Sequence, residues 1–247
     1  MEGIKRALKF QGRDFKKSAG MFWLVLIIVN IGSYVSMYKF SNGFIGIRVS
    51  GYSSIGDIDI TLISVAAANL FPIIIFFIVY CYELYYEYFP VAISFSVTRK
   101  DFYKSAVIYN LIASFLFAVI QGILMKADVY LVQYFGQNTK SDFGIYNSGT
   151  DSIIFIIFSL FICFVVLSSA MNLLSIMNYK FGYRLWIAIA LLGISYSART
   201  GIPFKLIGRL FTERVGVVQL SILMITAIAC CAAGYLTVLR TNVKDRL

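Results

Sequence analysis

The sequence contains no histidine. That absence removes histidine-ligated haem, histidine-containing metal centres and serine–histidine proteolysis from the functions open to the chain. Acidic residues are scarce, with 12 Asp and Glu against 22 Lys and Arg, and charged residues of both signs make up only 14% of the chain. No Gly-Lys dipeptide occurs. A P-loop, which needs that pair so that backbone amides and lysine can cradle phosphates, is therefore excluded, and any ATP hydrolysis belongs to a partner. Cys81, Cys163, Cys230 and Cys231 form no C-x-x-C pair and lie in or beside apolar blocks. They read as small packing residues in reduced form.

What remains is strongly apolar: 60% hydrophobic residues over 247 positions, with a mean hydropathy of +0.80. Soluble domains run near 45–50% apolar and about 25% charged. Such an excess does not fit inside one soluble core, and it comes in blocks that reach the roughly 20 residues a spanning helix needs. The net charge of +10 is carried by basic residues flanking these blocks. Headgroup contact and topology, not nucleic acid, account for it.

The pattern predicts an all-α integral membrane bundle of six transmembrane helices, one domain over residues 1–247 without internal repeats. The spans fall at Met21–Tyr38, Ile60–Cys81 (kinked at Pro72), Ser105–Met125, Ser152–Met177, Leu185–Ala198 (lengthened by Phe181–Tyr183) and Gly216–Leu239. The first is expected to be a retained helix, not a cleaved signal. Ahead of it, within residues 1–20, Ile4, Ala7, Leu8, Gln11 and Phe15 recur at helical spacing among six basic residues. That predicts an interfacial amphipathic helix, with a solvated arm as the alternative. Lys39–Asp59 and Lys126–Thr150 read as loops. After Pro203, Leu206, Ile207, Leu210 and Phe211 share a helical face, so Arg199–Arg214 is expected to be a short outer interfacial or re-entrant helix. With the N-terminus inside, inner segments hold 14 basic residues and outer ones 8. The positive-inside rule thus favours cytoplasmic termini in a plasma membrane. No Asp, Glu, Lys or Arg falls in the middle of any predicted span, which argues against a proton-driven antiporter or pump.

Tyr82–Lys104, YELYYEYFPVAISFSVTRKDFYK, reads as an amphipathic cytoplasmic element. Glu83 and Glu87 share a face, Phe89–Val97 is apolar, Pro90 breaks the helix leaving the second span, and Thr98 caps the next. Such an element can seat apolar side chains on a soluble partner while its charges fix register. Glu83 and Glu87 also read as solvated charges, Arg99 and Lys100 as topological anchors, and Tyr80, Tyr82, Tyr85, Tyr86 and Tyr88 as an interfacial aromatic belt.

At these residues the chain resembles the transmembrane subunit of an ABC-2 type exporter. The family has a basic interfacial helix, six spans with both ends inside, and an inner loop similar to E-x-x-x-G-T-x-E-x-L-L-x-x-P-V-S-R. Glu83 and Glu87 match the acidic start of that loop, and Ser96-Val97-Thr98-Arg99 its end. The Gly-Thr pair is absent and the spacing to Arg99 differs. The resemblance implies a non-catalytic permease of the small bacterial kind associated with peptide or toxin export or antimicrobial resistance. It also implies separate ABC ATPase subunits carrying ATP and Mg, no cofactor in this chain, and a second or sister permease as dimer partner. The coupling residues would be Glu83, Glu87, Phe89, Pro90, Phe95, Thr98, Arg99, Lys100 and Asp101. The uncharged interior suits hydrophobic or amphipathic cargo. A small-molecule-binding subunit of an ECF-type importer, or a non-transporting membrane sensor, is the alternative.

Asn110, Ser114, Ala118 and Gly122 recur every fourth residue on the third span. Ser168, Ser169, Asn172 and Ser175 give the fourth a similar face. Small residues let membrane helices approach closely, and Asn110, Ser114, Ala118, Gly122, Ser169 and Asn172 either pack or line a translocation path.

Overall fold

The computed structural model describes residues 2–40, 47–52, 59–143, 145–200 and 216–241. Helices dominate. α1 covers Glu2–Phe40, α2 Val65–Ala68, α3 Leu70–Glu83, α4 Phe89–Ser94, α5 Arg99–Tyr134, α6 Ile153–Phe181, α7 Tyr183–Thr200 and α8 Val217–Leu239, with a π-helical turn at Leu84–Tyr88. Among the described residues five segments are long and apolar enough to cross a membrane: Asp14–Tyr38, Val65–Ser94, Arg99–Tyr134, Ile153–Phe181 and Val218–Leu239. In lipid every backbone amide must be satisfied within the chain, so long uninterrupted helices are the available solution. The molecule has the build of a multi-pass membrane protein. α1 exposes Met21, Leu24, Val25, Ile28 and Ile31 on one side, a surface suited to acyl chains.

Three helices begin on hydroxyl caps. Ser64 accepts from Ala67 N–H, Thr98 from Asp101 N–H and Ser152 from Phe155 N–H. Each satisfies one of the donors that a helix start leaves open. At the other end of α4, Ser96 N–H donates to Ile93 O and Val97 N–H to Ala92 O, with Ser96 at φ 60°. This is a Schellman closure with serine in the left-handed position usually given to glycine.

The helices pack at related heights. Phe77, Cys81 and Tyr85 meet Phe164, Ser168 and Asn172 in four-residue steps, so α3 and α6 run parallel. α5 runs antiparallel to α6: Gly122 lies on Ile157 and Ser114 beside Ser168. α1 runs parallel to α5, with Gly12 at Tyr109, Trp23 at Phe117 and Tyr34 at Asp128. Leu220 clusters with Ile162 and Cys231 meets Ser169, so α8 runs the same way as α6. α8 therefore starts at the end of the bundle where α6 starts. Both termini belong to one end of the bundle, since Gln11 packs on Ser105 and Leu239 O accepts from Arg99. We call this the terminal end.

Phe117 centres the largest core. Its ring lies 5.1 Å from those of Trp23 and Phe76, 5.3 Å from Phe77 and 5.7 Å from Phe22.

Several expectations change. Residues 2–17 are helical, but they continue into the first span as one 39-residue helix. Of the stripe read as interfacial, Leu8, Gln11 and Phe15 face protein, while the side chains of Ile4 and Ala7 lie outside the described ones. Phe15 is buried at 4.9 Å from Tyr80 and 5.0 Å from Tyr109, and Gln11 is buried against α5. Helical spacing identifies an apolar face without saying whether lipid or another helix covers it. Lys39–Asp59 is not all loop: Ile47–Tyr52 (β1) pairs antiparallel with Asp59–Ser64 (β2), with Ile47 opposite Ser64. Ile60–Ser64 therefore belongs to a strand, and the second span starts at Val65. α5 runs on from Met125 to Tyr134. The sixth crossing is not among the five segments; α7 is an 18-residue helix containing Arg184 and Arg199. Of the expected outer helix Arg199–Arg214, residues 201–214 lie outside the described residues, and Arg199 and Thr200 end α7.

Phe117→Ala should cost about 3–5 kcal/mol of stability, as aromatic truncations in packed cores do. Gly122→Val should also destabilise, because even a Cβ there would stand 2.6 Å from Ile157 Cγ1. Denaturant unfolding of the purified protein in detergent checks both, with Phe115→Ala, on the exposed side of α5, as the mild control.

Candidate functional site

The small and polar stripe of α5 divides along its length. Ala118 and Gly122 are buried, and Gly122 packs on Ile157 of α6. Ser114 is buried with its Oγ 3.4 Å from Ser168 Oγ. Towards the terminal end the helices part, and a cavity of about 250 Å³ opens between α5, α6 and α8. Asn110, Ser168, Ser169 and Asn172 supply its polar wall. Leu111, Val165, Met224 and Ile228 supply apolar wall, and no charged residue lines it.

The polar groups differ in how firmly they are held. Asn172 Oδ1 accepts from the buried Tyr85 hydroxyl, which fixes the amide from the α3 side. Ser169 Oγ accepts from the Cys231 thiol at 3.4 Å. Asn110 is 5% exposed, and its Oδ1 has no hydrogen-bond partner among the described residues. A buried amide oxygen left unbonded costs free energy, which a ligand donor or water in the cavity would recover. The cavity can hold a small amphipathic group, covering its apolar part and offering it one or two hydrogen bonds.

At the terminal end, Tyr82–Lys104 is more ordered than a loop. Leu84–Tyr88 forms a π-helical turn closed by Phe89 N–H on Leu84 O. Pro90, which has no N–H and would crowd the carbonyl four residues back in a regular helix, follows that wider turn. The expected break at Pro90 thus moves to Phe95–Thr98. Phe89 is fully buried, 5.1 Å from the Phe102 ring and 5.8 Å from Tyr179, and is not a surface anchor. It lies four residues beyond Tyr85 on the same buried face. Phe95 is 69% exposed and is the large apolar group this segment presents. Glu87 and Lys100 are exposed as well. Glu83, Pro90 and Asp101 are half-buried. The hydroxyl of Thr98 accepts from Asp101 N–H, and Arg99 Nη1 donates to Leu239 O at 3.3 Å, tying the segment to the end of α8.

Sequence reasoning missed a buried carboxyl. Asp128 is 1% exposed near the end of α5 that meets the β1–β2 ribbon, opposite the terminal end and here called the ribbon end. Tyr34 donates its hydroxyl to Oδ1 at 2.5 Å, Ser64 to Oδ2 at 2.6 Å, and Val65 N–H to Oδ1 at 3.3 Å. Nearby, Gln121 Nε2 donates to Ala66 O at 2.7 Å. One side chain thereby joins α1, α5 and the start of the second span. The signal was present: the buried positions of α5 continue past Met125 through Asp128 and Val132 at the same period. With Lys126 and Asp128 on the helix, the argument against proton coupling from charge-free spans loses its premise there. Asp128 is nonetheless about 27 Å along the helix from Asn110, far from the cavity. Lys126, expected to begin a polar loop, donates to Gly149 O and Asp151 O, both at 3.0 Å, and holds the α5–α6 connection over the ribbon end. In that connection burial pushes the Tyr146 phenol well above its ordinary pKa.

Compared with known proteins, the chain matches no family model, no curated protein and no solved structure.

Asp128→Ala should lose about 3 kcal/mol, since it strands two buried hydroxyls and a helix-start amide. Asp128→Asn should lose less. Asn110→Ala should leave stability near that of the parent, because the Oδ1 it removes has no hydrogen-bond partner among the described residues. Thermal unfolding in detergent distinguishes the three, and equal losses at positions 110 and 128 would contradict this account.

Proposed function

We propose that the chain is the membrane-spanning subunit of an ATP-driven exporter of the ABC-2 type, moving a hydrophobic or amphipathic cargo by alternating access. The observation that carries this reading is the cavity between α5, α6 and α8. It is uncharged, mostly apolar and edged by Asn110, Ser169 and Asn172, so it offers an amphipathic cargo cover for its apolar part and one or two hydrogen bonds. A charged cargo would find no counter-charge there. The chain itself makes and breaks no bonds in this scheme and needs no cofactor of its own. Its energy comes from ABC ATPase subunits that carry ATP and Mg, and a second or sister permease completes the pathway.

Six crossings are part of the proposal. The parallel course of α6 and α8 supports it, because residues 182–216 must bring the chain back, and α7 at 18 residues reaches about 27 Å. The basic bias supports termini on the cytoplasmic side of a bacterial plasma membrane. The terminal end then faces the ATPases, with Glu87, Phe95 and Lys100 on its surface. Phe89, behind them, transmits by packing and not by contact.

The tagged full chain, recovered from its native membrane in mild detergent, should bring ATPase subunits with it. Phe95→Ala should weaken that assembly by about tenfold or more and Lys100→Ala less, as apolar anchors usually outweigh rim charges. Asn110→Leu should assemble normally but lower cargo-stimulated ATPase activity. A chain that purifies alone, with Phe95→Ala behaving like the parent, would defeat the proposal.

A further inference from the structure

A second cavity, of about 130 Å³, lies at the terminal end between α1 and the continuous helical run formed by α3 and the π turn. Its walls include the aromatic residues Phe15, Phe76, Tyr80 and Tyr88, together with Glu83. The Phe15 and Tyr80 rings meet edge-on at 4.9 Å, and Phe76 and Tyr80 are stacked, so this aromatic wall is a packed unit.

Two observations mark the cavity as more than a packing gap. The Tyr88 hydroxyl lies 3.3 Å from Glu83 Oε1 and 3.3 Å from Asp14 Oδ2. One phenolic proton serves only one of these acceptors at a time, and neither carboxyl has an ion-pair partner among the described residues. Lys16 and Lys17, two and three positions along α1 from Asp14, are exposed and pair with neither. In a chain of net charge +10, two acidic side chains have been brought together with no cation between them among the described residues. Independently, Tyr80 is 5% exposed, lines the cavity, and has a hydroxyl without a hydrogen-bond partner among the described residues. A buried hydroxyl in that state awaits a partner from outside the chain.

We propose that this cavity binds an organic ammonium group. Aromatic rings attract a cation through their quadrupole, most strongly where water is excluded, and the two carboxyls supply the opposing charge. The unbonded Tyr80 oxygen is itself closed off from solvent, and it accepts an ammonium N–H once the ring shifts toward the cavity. Aromatic walls cannot replace the hydration shell of a bare inorganic ion, whereas a primary ammonium exchanges its waters for N–H bonds to the two carboxyls and a quaternary one has little water to lose. The volume is about four times the ~30 Å³ that one water occupies, the scale of an ethanolamine or methylammonium head. The cavity lies where the chain enters its first apolar span, among interfacial tyrosines, at the depth of lipid headgroups. The ammonium group therefore comes either from an amine-bearing lipid or from a free amine. This assignment does not rest on the transport reading and involves none of the residues of the α5–α6–α8 cavity.

The test uses the full chain in nanodiscs of phosphatidylglycerol alone, titrated calorimetrically with tetramethylammonium, ethanolamine or sodium chloride at matched ionic strength. A second arm compares bound lipid, by native mass spectrometry, for protein taken from equimolar phosphatidylglycerol and phosphatidylethanolamine. Glu83→Gln keeps the size of the side chain and removes its charge; Tyr80→Phe removes only the unbonded hydroxyl. Saturable heat with an organic ammonium but not with sodium, weakened at least tenfold by Glu83→Gln, assigns the site to free amines. Retention of phosphatidylethanolamine over phosphatidylglycerol, lost in Glu83→Gln, assigns it to the lipid. Tyr80→Phe should weaken either by a few-fold while unfolding at the parent temperature. Absence of both signals, or equal signals in the parent and Glu83→Gln, overturns the proposal.

Discussion

Lipid gives helices no hydrophobic reason to associate, because an acyl chain is as good a neighbour as leucine. The bundle therefore depends on contacts that lipid cannot make, and these concentrate on α6. Gly122 lets α5 come down onto Ile157, Ser114 meets Ser168, and the steps from Phe77 to Tyr85 match those from Phe164 to Asn172 on the other side. α8 joins the same helix through Ser169. With α6 fixed between α3, α5 and α8, the cavity is what remains where α5 and α8 diverge along it. A larger residue at position 122 would alter that divergence as well as the seam that carries it.

The ribbon end is organised by a different force. Its helices meet through polar contacts, with Asp128 accepting from three donors on α1, β2 and α2 and Lys126 holding the next connection. Buried carboxyls are tolerable when their lone pairs are filled, and this one is well supplied. The two ends thus differ in character. One is locked by hydrogen bonds; the other, built from aromatic rings and small residues, contains both cavities.

Much of this was legible in the sequence for physical reasons. Apolar blocks of spanning length have few other uses, so five long apolar helices appear close to where they were expected. The stripe from Asn110 to Gly122 was legible as a close-contact face, but periodicity alone could not divide it into a packed part and a cavity-lining part. That division depends on where α8 diverges, which no local pattern encodes. Boundaries were least legible where polar residues stay helical: Lys126 and Asp128 look like a loop until partners on other elements satisfy them. The burial of Phe89 was hidden similarly, because an aromatic residue before proline at the end of a span reads equally well as anchor or core. Glu83 was legible as a carboxyl near the membrane surface, but its proximity to Asp14 and Tyr88 depends on α1 continuing unbroken past residue 17.

The π turn at Leu84–Tyr88 sets the phase of everything after it. In an ordinary helix each four-residue step overshoots a full turn by about 40°, so the row Phe77, Cys81, Tyr85, Phe89 would wind steadily off the α6 side. A wider turn underwinds the helix and takes some of that drift back, much as inserted residues rephase a coiled coil. Phe89 can then remain in the core with Tyr85 while the chain turns away at Phe95. Removing a single residue from 84–88 would change the winding without changing the length of the span appreciably. It would rotate the following side chains by about 100°, carrying Phe89 toward the outside and a different residue into its place.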